Sequence, residues 1–171
     1  FRRVLFQSGD VYLFNSQPVL NEWRNWRSGL SYSNGSSKLI GALDDCLCFQ
    51  TKGVLYHVPF DYKTRGSAPP EGYGTKYSQT QLDIYEFLLN KNGYATAGFG
   101  ILMYWWPANV SDSHADEIQF NTKFERVETD INRAAKLCNE AITCFKLVKP
   151  PAATPTCEMC AYLNKRKVYE E

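Results

Sequence analysis

The sequence predicts a mixed α/β fold, and three observations carry that expectation. Apolar residues recur at three- and four-residue steps in several stretches. Between them lie paired runs rich in β-branched and aromatic residues. The resulting order is helix, strand, strand, helix, strand, strand, helix, helix, which lacks the strict alternation of a doubly wound sheet. A chain of 171 residues can bury a sizeable core without staples. We therefore expect one domain over residues 1–171, with an irregular N-terminal part (1–15) and a linker plus C-terminal helix (150–171).

The elements follow in order. Gly9-Asp10 breaks the first fifteen residues into short extended pieces. Ser16 can cap a helix with Pro18 near its first turn, and Val19, Leu20, Trp23, Trp26 and Leu30 give it an apolar side, so a helix is expected to about residue 28. Tyr32–Ser37, rich in Ser, Asn and Gly, reads as a loop. Leu39–Phe49 and Val54–Tyr62, joined across Thr51-Lys52-Gly53, read as an antiparallel hairpin. Pro59 predicts an edge position or a bulge in its second arm. Arg65–Gly74 is a Gly/Pro-rich loop, and a helix follows from about Ser78 to Asn90, with Leu82, Tyr85, Leu88 and Leu89 on its apolar side. Tyr94–Trp106 and Ile118–Val127 read as two more strands. Thr129 or Asp130 can cap a helix to about Lys146 whose apolar side carries Ile131, Ala134, Ala135, Leu137, Ala141, Ile142 and Phe145. Pro150–Pro155 is a linker, and Cys157–Tyr169 a final helix.

Composition narrows the function. With 22% charged and 15% aromatic residues the chain is neither disordered nor fibrous. Its longest apolar run, Gly98–Pro107, is too short for a transmembrane span, and residues 1–7 lack the pattern of a secretory signal. The net charge of +1 provides no global field for nucleic acid, so such binding rests on local patches. Candidate patches are Arg2-Arg3, Arg24 with Arg27, Lys63 with Arg65, and Lys165-Arg166-Lys167. Six Cys are too sparse for a disulfide scaffold and point to a reducing, cytoplasmic compartment. Two short glycosylation sequons, at Asn34 and Asn109, are set aside as chance matches. His57 and His114 form no spaced metal pair and have no nucleophile partner, so each is expected to be structural or exposed.

The hairpin carries the chemistry. If Gln50–Gly53 is the turn and paired positions sum to about 103, Asp61 faces Ala42 and Asp44 is its diagonal neighbour. Both carboxylates then share a face, and Lys63 joins them by the two-residue period. Two converging carboxylates form a hard oxygen site suited to Mg²⁺ or Mn²⁺, and an adjacent ammonium can orient water or neutralise charge on a phosphate. An acid–x–Lys tripeptide is by itself expected about once by chance. The alternative is a solvated strand pair at a sheet edge.

Gly41-Ala42-Leu43-Asp44, then Asp61-Tyr62-Lys63, then Gln81-Leu82-Asp83-Ile84-Tyr85 on the following helix resemble the RecB-like branch of the PD-(D/E)XK nuclease superfamily. A Gln-x-x-x-Tyr step after the hairpin marks that branch, and Cys157-Glu158-Met159-Cys160-Ala161-Tyr162 resembles its Cys-x-x-Cys-x-Tyr tail. The matches span most of residues 38–163. The resemblance implies a restriction-endonuclease-like core, a mixed central sheet flanked by helices. It implies a divalent-metal-dependent DNA nuclease, an exonuclease on single strands or ends in repair, recombination or CRISPR adaptation, alone or within a protein assembly.

Asp44 and Asp61 would ligate Mg²⁺ or Mn²⁺, Lys63 would be the catalytic lysine, and Gln81 and Tyr85 would border the site. Glu22, the one acid on the first helix, is a further candidate or a solvent-facing charge. Gln81 can instead complete a capping box with Ser78, and Tyr85 can be a core aromatic. Many members bind an iron–sulfur cluster through an upstream Cys and three near the C-terminus. Residues 163–167 lack the last of these, so no cluster is expected, and Cys46, Cys48, Cys138 and Cys144 read as small buried hydrophobes. Trp105 and Trp106 can stack on bases or fill the core. Two other functions stay open, a non-catalytic nucleic-acid-binding domain and a structural metal domain built on Cys157 and Cys160.

Overall fold

The computed structural model describes residues 10–108 and 118–167. Arg2-Arg3, the sequon at Asn109, His114 and the end of the final helix lie outside them. In chain order the elements are β1 (Val11–Leu13), α1 (Gln17–Trp23), β2 (Leu30–Asn34), β3 (Ser37–Gly41), β4 (Asp45–Thr51), β5 (Val54–Thr64), α2 (Tyr73–Lys91), β6 (Ala95–Thr96), β7 (Phe99–Pro107), β8 (Phe120–Glu128), α3 (Ile131–Phe145) and α4 (Glu158–Lys167). Contacts divide the chain into two compact units, one ending at Cys138 and one running from Asn139. Among the described residues no helix is long and apolar enough to cross a membrane.

The first unit is built on a mixed sheet in the order β1-β4-β5-β7-β8, with β6 also paired to β5. The β5–β7 and β5–β6 pairs are parallel and the others antiparallel. The parallel step requires a crossover, which α2 supplies. On α2, Leu82, Tyr85, Phe87, Leu88 and Leu89 are buried, and they join Leu43, Leu102, Tyr104 and Val127 of the sheet region in the main core. The α/β, restriction-endonuclease-like expectation describes this architecture.

Several local expectations need correction. α1 ends at Trp23, because Leu30 is buried as the first residue of β2 while Trp26 is 70% exposed and gives the helix no further anchor. The expected loop at 32–37 is the β2–β3 hairpin, a separate two-stranded sheet. Its turn holds Gly35 at φ 60°, a conformation that hairpin turns favour and glycine adopts freely. Leu39–Phe49 is thus two strands, parted at Ala42–Asp44. The Pro59 expectation also fails, since β5 is central. Pro59 falls between the stretch paired with β6 (Tyr56, His57) and the stretch paired with β7 (from Phe60), where a missing N–H costs no ladder bond.

α2 begins at Tyr73, six residues before Gln79, so Ser78–Gln81 lies inside the helix and forms no capping box. Gly98, at φ 77°, divides the predicted 94–106 strand into β6 and β7. Asp130 does cap α3, its Oδ1 accepting the Asn132 N–H at 2.8 Å. Of the apolar side expected for α3, Ala134 is buried but Leu137 and Phe145 are exposed. In the second unit α4 begins just after Cys157, whose Sγ accepts the Cys160 N–H at 3.4 Å. Cys160 and that backbone bond lower the Cys157 pKa. Cys46 and Cys48 are fully buried as expected, whereas Cys144 is exposed.

Candidate active site

The β4–β5 turn is shorter than the sequence suggested. Thr51 pairs with Val54 across Lys52 and Gly53, both at positive φ, as in a two-residue hairpin turn. Paired positions therefore sum to 105 rather than 103. A shift of two preserves the facing of every side chain and brings the acids nearer than predicted. The ladder ends at Asp45–Phe60, so Asp61 no longer faces Ala42. Asp44 lies just beyond the ladder, with its Oδ2 accepting the Tyr62 N–H at 3.2 Å.

A second set of contacts fixes Asp44. Arg24, just past α1, donates from Nε to the Asp44 carbonyl oxygen at 2.6 Å and pairs through Nη2 with Asp45 Oδ2 at 3.1 Å. Asp45 is buried and also accepts from the Tyr62 hydroxyl at 3.2 Å and the Cys46 N–H at 2.8 Å. The Leu43 N–H donates to the Trp23 carbonyl at 3.0 Å. The end of α1 thus clamps the irregular 42–45 segment. Arg24 and Asp45 were missed as site residues, because no local spacing links positions twenty-one apart.

Asp61 is 1% exposed. Its Oδ1 accepts from Gln81 Nε2 at 3.1 Å, and its Oδ2 lies 2.6 Å from Lys63 Nζ as an ion pair. Lys63 is the cation that answers Oδ2, and the Asp44 carboxyl is a further, like-charged neighbour. Lys63 Nζ donates to Gln81 Oε1 at 2.8 Å, and Gln81 Nε2 donates its second proton to the Tyr85 hydroxyl at 2.9 Å. Both N–H donors of the Gln81 amide and one lone pair of its oxygen are thereby used. Burial raises the Asp61 pKa, Lys63 pulls it back, and the neighbouring Asp44 carboxyl pushes it up again. Burial also raises the Tyr85 pKa, with Asp61 and Asp44 adding to it. The structure thus brings Asp44, Asp61, Lys63, Gln81 and Tyr85 into one network. Glu22 stands exposed on α1 and joins none of the contacts described here.

Of the remaining candidates, His57 is buried between Phe14 and Tyr94 with Nδ1 unpartnered. Trp106 packs against the core and Trp105 against Phe120. Among the described residues no group of three or more His, Cys, Asp or Glu is placed to hold a metal ion. Two acids can still do so with water and substrate filling the remaining positions. Asp44 and Asp61 fit that use, since the two carboxyls lie close enough for Asp44 to raise the Asp61 pKa, and Lys63 pairs with Asp61.

Two acids and a lysine at the end of the central hairpin of a mixed sheet are groups able to hold a divalent cation beside an ammonium. The model of the PD-(D/E)XK nuclease superfamily matches residues 6–164. The chain belongs to that superfamily. No curated protein and no solved structure matches it.

Proposed function

We propose that the protein is a divalent-metal-dependent DNA nuclease of the RecB-like branch, an exonuclease on single strands or ends, with Asp44, Asp61 and Lys63 as its working groups. The observation that carries this reading is the Lys63 ammonium seated between the Asp61 carboxylate and the Gln81 amide, beside a second carboxyl. Asp44 and Asp61 would hold Mg²⁺ or Mn²⁺, and such an ion, when bound, makes water a better nucleophile and polarises a phosphoryl oxygen.

The chain's own residues do the rest. Lys63 presents a fixed ammonium to the attacking water or to charge developing on the phosphate. Gln81 holds that ammonium and the Asp61 carboxylate in mutual register, and Tyr85 backs the amide. Arg24 and Asp45 fix the backbone that carries Asp44. The test is cleavage of labelled linear single- and double-stranded DNA with Mg²⁺ or Mn²⁺, with and without chelator, by the native chain and Asp61→Asn. Metal-dependent products from the native chain alone support the reading. Binding of DNA by both proteins with cleavage by neither would replace it with a non-catalytic binding module.

A further inference from the structure

Two cavities flank the candidate site, and Tyr77 and Gln81 line both. The smaller, about 260 Å³, also touches Lys63, Arg65, Tyr73 and Tyr104. The larger, about 520 Å³, opens beside β3 and is bordered by apolar Leu39, Ile40 and Ile84. Tyr77 thus sits on the ridge between a cationic hollow and an apolar one. It is 61% exposed on a helix whose other large residues are mostly buried.

Tyr77 belongs to a row of planar groups. The Arg65 guanidinium lies 3.9 Å from the Tyr73 ring centroid, and the Tyr73 and Tyr77 rings are 4.5 Å apart. Among the described residues the Arg65 side chain makes one hydrogen bond, from Nε to the Ser67 carbonyl at 3.3 Å, which leaves both terminal nitrogens for another acceptor. Tyr104 is completely buried and its hydroxyl has no hydrogen-bond partner. Burial, with Glu125 adding, pushes its pKa up to about 12, so this orphan remains a proton donor at neutral pH.

We propose that Tyr77 stacks on a base of a single DNA strand laid across these two cavities, with Arg65 holding a phosphate on the side of the smaller one. The inference deepens the nuclease reading and rests on it. A base within a duplex has both faces covered by its neighbours, so it cannot offer one to Tyr77 without leaving the stack. An unstacked strand has faces to spare. The planar guanidinium, already seated on Tyr73, can present two parallel donors to a phosphate. The ridge therefore selects single strands beside Lys63 without reading their sequence. Tyr73 lies edge-on to Tyr104 at 6.1 Å, whereas Tyr77, with Tyr73 beside it and the Lys76 ammonium 5.1 Å from its ring centroid, keeps most of its surface in solvent.

The experiment is fluorescence anisotropy of a labelled single-stranded oligonucleotide and of a duplex of the same sequence, with chelator present so that nothing is cut. The proteins are the native chain, Tyr77→Ala and Tyr77→Phe. Tyr77→Ala is expected to weaken single-strand binding about tenfold, the order expected for one stacked base, and to leave duplex binding unchanged. Tyr77→Phe keeps the ring and retains the affinity. Equal single-strand binding by Tyr77→Ala, an equal loss on the duplex, or no single-strand binding by the native chain would each overturn the proposal.

The same proteins are then assayed for cleavage with Mg²⁺ and Mn²⁺. If the native chain binds single strands through Tyr77 and cuts nothing, the nuclease reading fails while the stacking site stands. If it cuts single strands with the same kcat/KM in Tyr77→Ala, the stacking site fails and the nuclease reading stands.

Discussion

Two acidic clusters are anchored on the same helix, α2, and they differ in how completely their charges are answered. Asp83, 2% exposed, accepts from Arg133 Nε at 2.5 Å and Nη2 at 2.8 Å, from Gln79 Nε2 at 3.0 Å and from the Asp130 N–H at 2.9 Å. Glu86, equally buried, accepts from the Thr129 hydroxyl and from the Gly98 N–H at 2.7 Å. Every carboxylate oxygen there has a donor, and all the donors but Gln79 come from the start of α3 and the β6–β7 break, so the cluster locks α2 to them. At the Asp44–Asp61 cluster Lys63 pairs with Asp61, while the Asp44 carboxyl presses on Asp61 as a like charge. Burial with every charge answered holds a fold together, whereas crowding of like charges opposes folding and leaves capacity for a cation.

The comparison breaks most sharply on Asp61→Asn. Metal-dependent cleavage is expected to fall roughly a thousandfold or more, the scale of losing metal and electrostatic assistance together. The melting temperature is expected to hold or rise at neutral pH, because the substitution removes a carboxylate whose charged form burial and Asp44 disfavour. A large fall in melting temperature would place Asp61 with the structural cluster instead.

Arg133→Met is the converse. Removing the bidentate partner leaves the buried Asp83 carboxylate without its cation, but Arg133 is half exposed and Gln79 and the Asp130 N–H still donate, so the cost is about 1 kcal/mol. Denaturant unfolding measures it, and cleavage per folded molecule should be unchanged. Loss of cleavage without loss of stability would show that the two clusters are coupled through α2.

Gln81 sharpens the comparison, because it lies on α2 with Asp83 yet serves the other cluster. Gln81→Leu frees Lys63 and uncouples Asp61 from Tyr85, so kcat should fall roughly ten- to a hundredfold, the range for a supporting hydrogen-bond partner, with KM little changed. Stability should change by about 1 kcal/mol at most, since Gln81 is half-buried. A matching loss from Gln81→Glu, which would carry a third negative charge, separates its amide role from its bulk.

How much of this was legible in the sequence depended on the range over which the cause acts. Alternation within a strand is local, so the common face of Asp61 and Lys63 could be read directly. The four-residue step from Gln81 to Tyr85 was equally plain, but not the start of their helix. α2 enters through Gly72 in the left-handed conformation without a side-chain cap, and the aromatic Tyr73 and Tyr77 resemble neither a cap nor a helix-forming run. The β2–β3 hairpin was hidden by the Ser and Asn content of its turn end, because the face it packs on the core consists of little more than Leu30, Tyr32 and Leu39. Arg24 and Asp45, like Asp83 and Arg133, meet only through the tertiary fold.

His57 asks whether an unpartnered buried atom alone is enough to mark function. Its Nδ1 lacks a hydrogen bond, but its neighbours are the Phe14 and Tyr94 rings rather than a charge of its own sign such as Asp44 presents to Asp61. Burial lowers its pKa, with the Ala95 backbone acting weakly the other way. The unfolded chain therefore takes up this proton at a higher pH than the folded one. Stability from neutral His57 is complete above the ordinary histidine range and is lost as pH falls through the lowered value. His57→Phe should remove that part of the acid sensitivity, seen as a smaller drop in urea midpoint between pH 7.5 and 5 than in the native chain. Cleavage at pH 7.5 should be unaffected. If instead His57→Phe abolished cleavage at full stability, an orphaned atom without like-charge crowding would be enough to signal function, and the contrast between the two clusters of α2 would lose its force.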